Sequence, residues 1–148
     1  MKSIKKFEFE KLIPHAYKMC LLDEVIDWSD NKIHCISTTH LNEDNPLRSN
    51  QILSSICGIE YAAQAMAIHG GLTAINGKRP KAGYLASLRD VNCTRLRLDD
   101  LKQPMNIYAE QIMGDDMRVI YKFNLFVDNV EIINGRATVV LDIEGIHQ

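Results

Sequence analysis

Apolar positions along this chain fall into separate runs divided by polar turns. Residues 20–28 and 32–41 are apolar-rich, and Ser29-Asp30-Asn31 lies between the two runs. Apolar-rich runs bounded by such turn residues predict a pair of strands. A polar loop over residues 42–51, containing Pro46, follows. Residues 54–75 form a longer apolar stretch rich in alanine. This stretch reads as one helix, with Ser54 or Ser55 as its N-cap and Asn76-Gly77 as its stop. Beyond a basic loop at residues 78–81, four more strand-like runs cover residues 83–98, 106–113, 117–127 and 130–143. Gly114-Asp115-Asp116 and Asp128-Asn129 supply turns between the last three.

One long helix among strands that follow each other by short turns predicts an α+β fold with a largely antiparallel sheet. Such a sheet can bury its inner face only by wrapping the helix. With 148 residues, the chain reads as a single domain, residues 1–148. A formal net charge of -2 argues against a general nucleic-acid binder. The first residues, MKSIKKFEFEKLIPH, lack the apolar core of a signal peptide, and no apolar run is long enough to span a bilayer. Cys20, Cys35, Cys57 and Cys93 are widely spaced, which predicts buried reduced thiols rather than disulfides or a zinc site. These features together predict a cytoplasmic protein.

The helix carries the candidate chemistry. At about 100° per residue, Gln64 falls about 40° from Glu60, Ala67 about 20°, Ala63 about 60° and Gly71 about 20°. Glu60 and Gln64 therefore share a face of small residues, beside which a narrow slot can form. With Ala62, Ala65 and His69 on the opposite side, the helix reads as buried nearly all round. A carboxylate there must be paired, hydrogen-bonded or protonated. One reading is a structural acid bonded to Gln64 and nearby backbone. The other is an acid or base facing a thin substrate, with N–H groups of the helix N-terminus meeting a carbonyl oxygen.

Two motifs in this order resemble a known family. IPHAYKMCLLDEV, residues 13–25, is similar to the PH-x-x-P-x-LLxD-x-V segment of 3-hydroxyacyl-ACP dehydratases. GIEYAAQ, residues 58–64, resembles their helix motif, a Glu followed four residues later by Gln. Within that family the chain looks most like the dehydratase-like proteins of aryl-polyene biosynthesis. The resemblance implies a hotdog fold, one long central helix wrapped by an antiparallel sheet. It implies elimination of water from a 3-hydroxyacyl thioester, with a histidine taking a proton from C2 and the helix Glu of the other subunit assisting hydroxyl departure. On this basis Glu60 is the candidate acid, and Gln64 and Ser55 are candidate substrate-binding residues, Ser55 through its backbone N–H. The resemblance also implies a homodimer acting on acyl carrier protein or CoA thioesters, with no cofactor or metal.

The departures from the family pattern are specific. The usual histidine, fourteen residues before the Glu, is replaced by Pro46, and the usual glycine five before it is Ser55. The Pro-Gly-Asp turn after the third strand is reduced to Asp99-Asp100. Among the five histidines, His69 points about 180° away from Glu60. His147 lies near the C-terminus, and His34 and His40 share a face of the second strand. His15, in the PH motif, is the candidate base, against the alternative of a structural histidine. Cys57 near the helix start, where a thiolate would be stabilised, reads as a small buried filler, against the alternative of a nucleophile. The basic loop with Arg89, Arg95 and Arg97 reads as solvated surface, or else as a contact for an acidic carrier or a phosphate. An acyl thioesterase on the same fold, or a non-catalytic acyl-carrier-binding partner subunit, are the alternative functions.

One conflict concerns a turn. Asn134-Gly135 between apolar runs is a hairpin signal by local rules. The resemblance instead places residues 130–143 on one strand, with Gly135 at a bulge or bend and the hairpin at Asp128-Asn129.

Overall fold

The structure, a computed structural model, describes residues 3–9, 20–73 and 80–143, with side chains of the last stretch described over 84–140. A short strand β1 (Ile4–Lys5) leads directly into a one-turn helix α1 (Lys6–Phe9). Neither was expected from the sequence. Strands β2 (Glu24–Trp28) and β3 (Lys32–Ser37) follow, then helix α2 (Gly58–Leu72). Strands β4 (Pro80–Cys93), β5 (Met105–Gly114), β6 (Arg118–Val127) and β7 (Val130–Ile143) complete the described elements. The basic loop expected at 78–81 thus yields to strand at Pro80, and the stop expected at Asn76-Gly77 lies outside the described residues.

All seven strands form one sheet in the order β1-β2-β3-β5-β6-β7-β4, with every pairing antiparallel. The chain crosses from β3 to the far edge at β4 by way of α2. The helix lies against the inner face, where alternate residues such as Ile107, Ala109, Tyr121, Phe123 and Ile133 are buried. Register shifts interrupt four of the pairings, β2–β3, β5–β6, β6–β7 and β4–β7. Such bulges bend strands, and here they curve the sheet around the helix.

The turn conflict resolves in favour of the long strand. Asp128 and Asn129 adopt φ of 52° and 63°, the left-handed pair of a tight hairpin turn, and β7 runs on through Gly135. The expected bulge is there, but on the neighbouring strand. Arg89 pairs with Arg136 and Asn92 with Asn134, so Asp90 and Val91 together face Gly135 alone. A Cβ on Gly135 would come within 2.9 Å of Phe123 and 3.0 Å of Val91. Close packing, not a turn, is what this glycine serves.

Two buried histidines tie secondary elements together. His69 Nε2 lies 2.9 Å from the Ser29 carbonyl, which can only accept, so Nδ1 accepts from the Tyr121 hydroxyl at 2.7 Å. His40 Nε2 sits 2.8 Å from the Leu101 carbonyl and 3.1 Å from that of Gln103. Burial pushes the pKa of both rings below the usual value. The native state therefore binds fewer protons than the unfolded chain, whose histidines titrate near about 6.5. Stability should be full above that pH and fall as pH drops through it toward the native pKa values. Urea midpoints measured between about pH 5 and 8 should decline on the acid side, with His69→Gln flattening the slope. A midpoint constant over that range would contradict this account.

Candidate functional site

The site is built at the N-terminal end of α2. A 3-10 turn, Ser55–Cys57, precedes the helix proper, and Ser54 Oγ accepts the Ile56 N–H at 3.4 Å as its cap. The helix expected over 54–75 is thus tightened in its first turn and described as far as Leu72. It docks closely because Gly58, Ala62 and Ala65 are small and buried. A Cβ on Gly58 would run into Ile133 of β7.

Residues from about 40° to 240° around the helix, taking Glu60 as zero, face the protein interior. Of these, Gln64, Ile68, Tyr61, Ala65, Gly58, His69, Ala62 and Met66 are buried, and Leu72 at the helix end is half-buried. Glu60, Ala63, Ala67 and Gly71 are only half-buried, and Ile56 is 54% exposed. The expectation of a helix buried nearly all round is corrected accordingly. The Glu60 face is the open one, because the single sheet can wrap only part of the helix circumference.

Glu60 and Gln64 do not form the pair considered from the sequence. Gln64 is 3% exposed, and its Oε1 accepts the Leu21 N–H at 2.8 Å. The Leu21 carbonyl in turn accepts from Ser37 Oγ at 2.5 Å and Thr39 Oγ1 at 2.7 Å. Leu21 is therefore held at both backbone groups. No described residue gives a hydrogen bond to the Glu60 carboxylate. Gln64 acts on the protein interior, and Glu60 is left facing outward.

The Ser55 N–H is not available to a carbonyl ligand. It donates to the Leu96 carbonyl at 3.0 Å, because residues 53–55 run beside 96–98. A single sequence gives no sign of this pairing between a loop and a helix start. His15 lies outside the described residues, as does His147. His34 and His40 do not share a strand face. His34 is on the outer face of β3, 2.8 Å from Asn106 Oδ1 and stacked on Tyr108 with ring centroids 4.3 Å apart. His40 is in the 3-10 turn Thr39–Leu41, fully buried.

The remaining candidates fall into place around this. Burial, with the Glu60 carboxylate nearby, raises the Cys57 pKa, which suits a filler rather than a thiolate. Cys20 and Cys35 are buried as expected, but Cys93 is exposed. Arg97 is not a free cation, since it pairs with Asp99. Sequence reasoning missed the buried set of Ser37, Thr39, Asn45 and Tyr61, drawn from β3, the turn after it, the polar loop and α2, because no local pattern marks polar groups that meet across elements.

Comparison with known proteins fixes the family. The family model described as ApeP-like, ApeP dehydratase, matches residues 7–144. The chain belongs to the ApeP-like dehydratase family. It is also 33% identical over 78 residues to the 3-hydroxyacyl-[acyl-carrier-protein] dehydratase FabZ of Francisella tularensis subsp. novicida, covering 49% of this chain and 48% of that one. It thus spans about half the length of the curated relatives it matches. Among solved structures, the dehydratase heterocomplex ApeI:P from Xenorhabdus doucetiae matches with a TM-score of 0.78 at 22% identity, over 90% of each chain. The thioesterase HI1161 from Haemophilus influenzae matches with a TM-score of 0.69 at 13% identity, over 99% of this chain and 97% of that one. At these identities the likeness establishes the hotdog fold, which this ApeP-like protein shares with dehydratases and thioesterases alike.

Proposed function

We propose that this ApeP-like protein acts as a 3-hydroxyacyl-[acyl-carrier-protein] dehydratase, converting a 3-hydroxyacyl thioester to the 2-enoyl thioester and water. The observation that carries the reading is Glu60, a carboxylate near the start of the central helix, on its open face and unbonded by any described residue. In the reaction a base removes a proton from C2, the C2–C3 double bond forms, and the hydroxyl leaves C3 with a proton from Glu60. His34, His40 and His69 are each engaged elsewhere, which leaves His15, His147 or a second chain to supply a histidine base. Acyl carrier protein or CoA would carry the thioester. A role in polyene or specialised fatty-acid synthesis in the cytoplasm fits the family, and no described helix is long and apolar enough to cross a membrane.

The site calls for a second subunit, and a homodimer is the simplest assembly. Among the described residues, strand β4 ends the sheet with an open edge. Leu85 and Leu88 pair with Val139 and Ala137 on the inner face, yet they are 40% and 38% exposed. Inward leucines that no described residue covers, beside an edge unpaired among the described residues, favour edge-to-edge pairing of two β4 strands. Leu88→Arg should convert a dimer to monomers at micromolar concentration in sedimentation velocity. A wild-type chain that sediments as a monomer would sink the shared site.

A second reading has its own support. Pro46 stands where the family histidine is expected, and the ApeI:P structure is of a heterocomplex. The chain would then be the acyl-carrier-binding partner of an active subunit. Incubation with a 3-hydroxyacyl-ACP decides: enoyl product supports the dehydratase, free thiol a thioesterase, and binding without turnover the partner subunit.

A further inference from the structure

The stretch that leads into α2 is held by one carboxylate. Asp99 Oδ1 accepts the Leu53 N–H at 2.9 Å and the Arg97 Nε–H at 3.1 Å, and its other oxygen meets Arg97 Nη2. Asp99 and Leu53 are buried, while Arg97 braces the carboxylate from nearer the surface. Two backbone bonds flank this clamp. Leu98 N–H donates to the Leu53 carbonyl at 2.8 Å, and Ser55 N–H to that of Leu96 at 3.0 Å. Residues 53–55 are thus pinned to 96–99, with the 3-10 turn beginning at Ser55 and the helix at Gly58.

Glu60 follows Ser55 by five residues of continuous helical backbone. Hydrogen-bonded helix is stiff, so a shift of residues 53–55 moves the carboxylate with it. A buried N–H requires an acceptor, and an ionised one makes the stronger bond. The carboxylate also cannot swing away, because both of its oxygens are engaged. We propose that Asp99, braced by Arg97, is a positioning residue that sets where Glu60 is presented to substrate. The proposal rests on the reading of Glu60 as the acid, and it assigns a task to what remains of the turn after β4.

Asp99→Asn tests it. The amide oxygen can still accept from Leu53, but the amide NH₂ would face the Arg97 guanidinium. Val119→Ala, a buried change on β6, serves as the control for general loss of stability. On a 3-hydroxyacyl thioester, kcat of Asp99→Asn should fall by between about tenfold and the roughly 10²-fold that a small misplacement can cost, with KM little changed. Amide exchange at Leu53 and Ser55 should quicken by about tenfold, as local opening becomes easier. Val119→Ala should show neither effect. If Asp99→Asn matches Val119→Ala in both measurements, the proposal is overturned. Faster exchange with unchanged kcat would leave a structural clamp and overturn the positioning role. A wild-type protein without turnover would remove the Glu60 reading and this role together, a result visible before any variant is made.

Discussion

Replacing Glu60 by glutamine should leave the fold intact and lower turnover of a 3-hydroxyacyl thioester by roughly 10²–10⁴-fold, the usual contribution of a positioned acid or base. The fold should survive because Glu60 is half-buried and holds no hydrogen bond among the described residues that the amide would break. The amide keeps the volume but cannot protonate a leaving hydroxyl. Thermal midpoints of wild type and Glu60→Gln should therefore agree within a few degrees while kcat separates them. His15→Asn is the companion. Equal losses in the two variants would assign an acid–base pair, whereas loss at Glu60 alone would direct attention to the second chain. Turnover of Glu60→Gln within a few fold of wild type would leave Glu60 without a catalytic role.

The largest loss of stability is expected at Tyr61. Its ring is fully buried on the sheet side of α2, and its hydroxyl lies 2.8 Å from Thr39 Oγ1 and 3.0 Å from Asn45 Nδ2. Thr39 commits its hydrogen to the Leu21 carbonyl, so the tyrosine donates to Thr39 and accepts from Asn45. Tyr61→Ala removes a buried aromatic, which costs about 3–5 kcal/mol, and adds a weakened polar set. Against a total of about 5–15 kcal/mol, that is a large share. Tyr61→Phe separates the two contributions. It keeps the ring and leaves Thr39 and Asn45 short of a partner, at about 1–3 kcal/mol. Each retains another bond, to the Leu21 and Thr39 carbonyls respectively, so the lower end is expected. Urea unfolding at fixed protein concentration checks both, since assembly would otherwise shift the midpoints. A Phe variant as unstable as the Ala variant would show that the polar network, not the ring, dominates.

Much of the fold was written locally. A long apolar, alanine-rich stretch marks α2, and turn residues mark β2–β3, β5–β6 and β6–β7, because composition and turn chemistry depend only on near neighbours. Glu60 was legible for a related reason: a lone carboxylate in an apolar helix is conspicuous in any sequence. The continuous strand through Gly135 followed from resemblance, against the local turn rule, and the close packing that requires the glycine came only from the structure. What only the tertiary structure decided were relations between distant segments. Gln64 turns to Leu21, Ser55 gives its N–H to Leu96, and Asp99 meets Leu53, each across a sequence separation of roughly forty residues. No period encodes such pairings. Which face of α2 stays open was likewise not in the sequence, because alanine and glycine suit a tightly packed face and an open slot equally well. The answer lies in the sheet, which curves around one side of the helix and leaves Glu60 on the other.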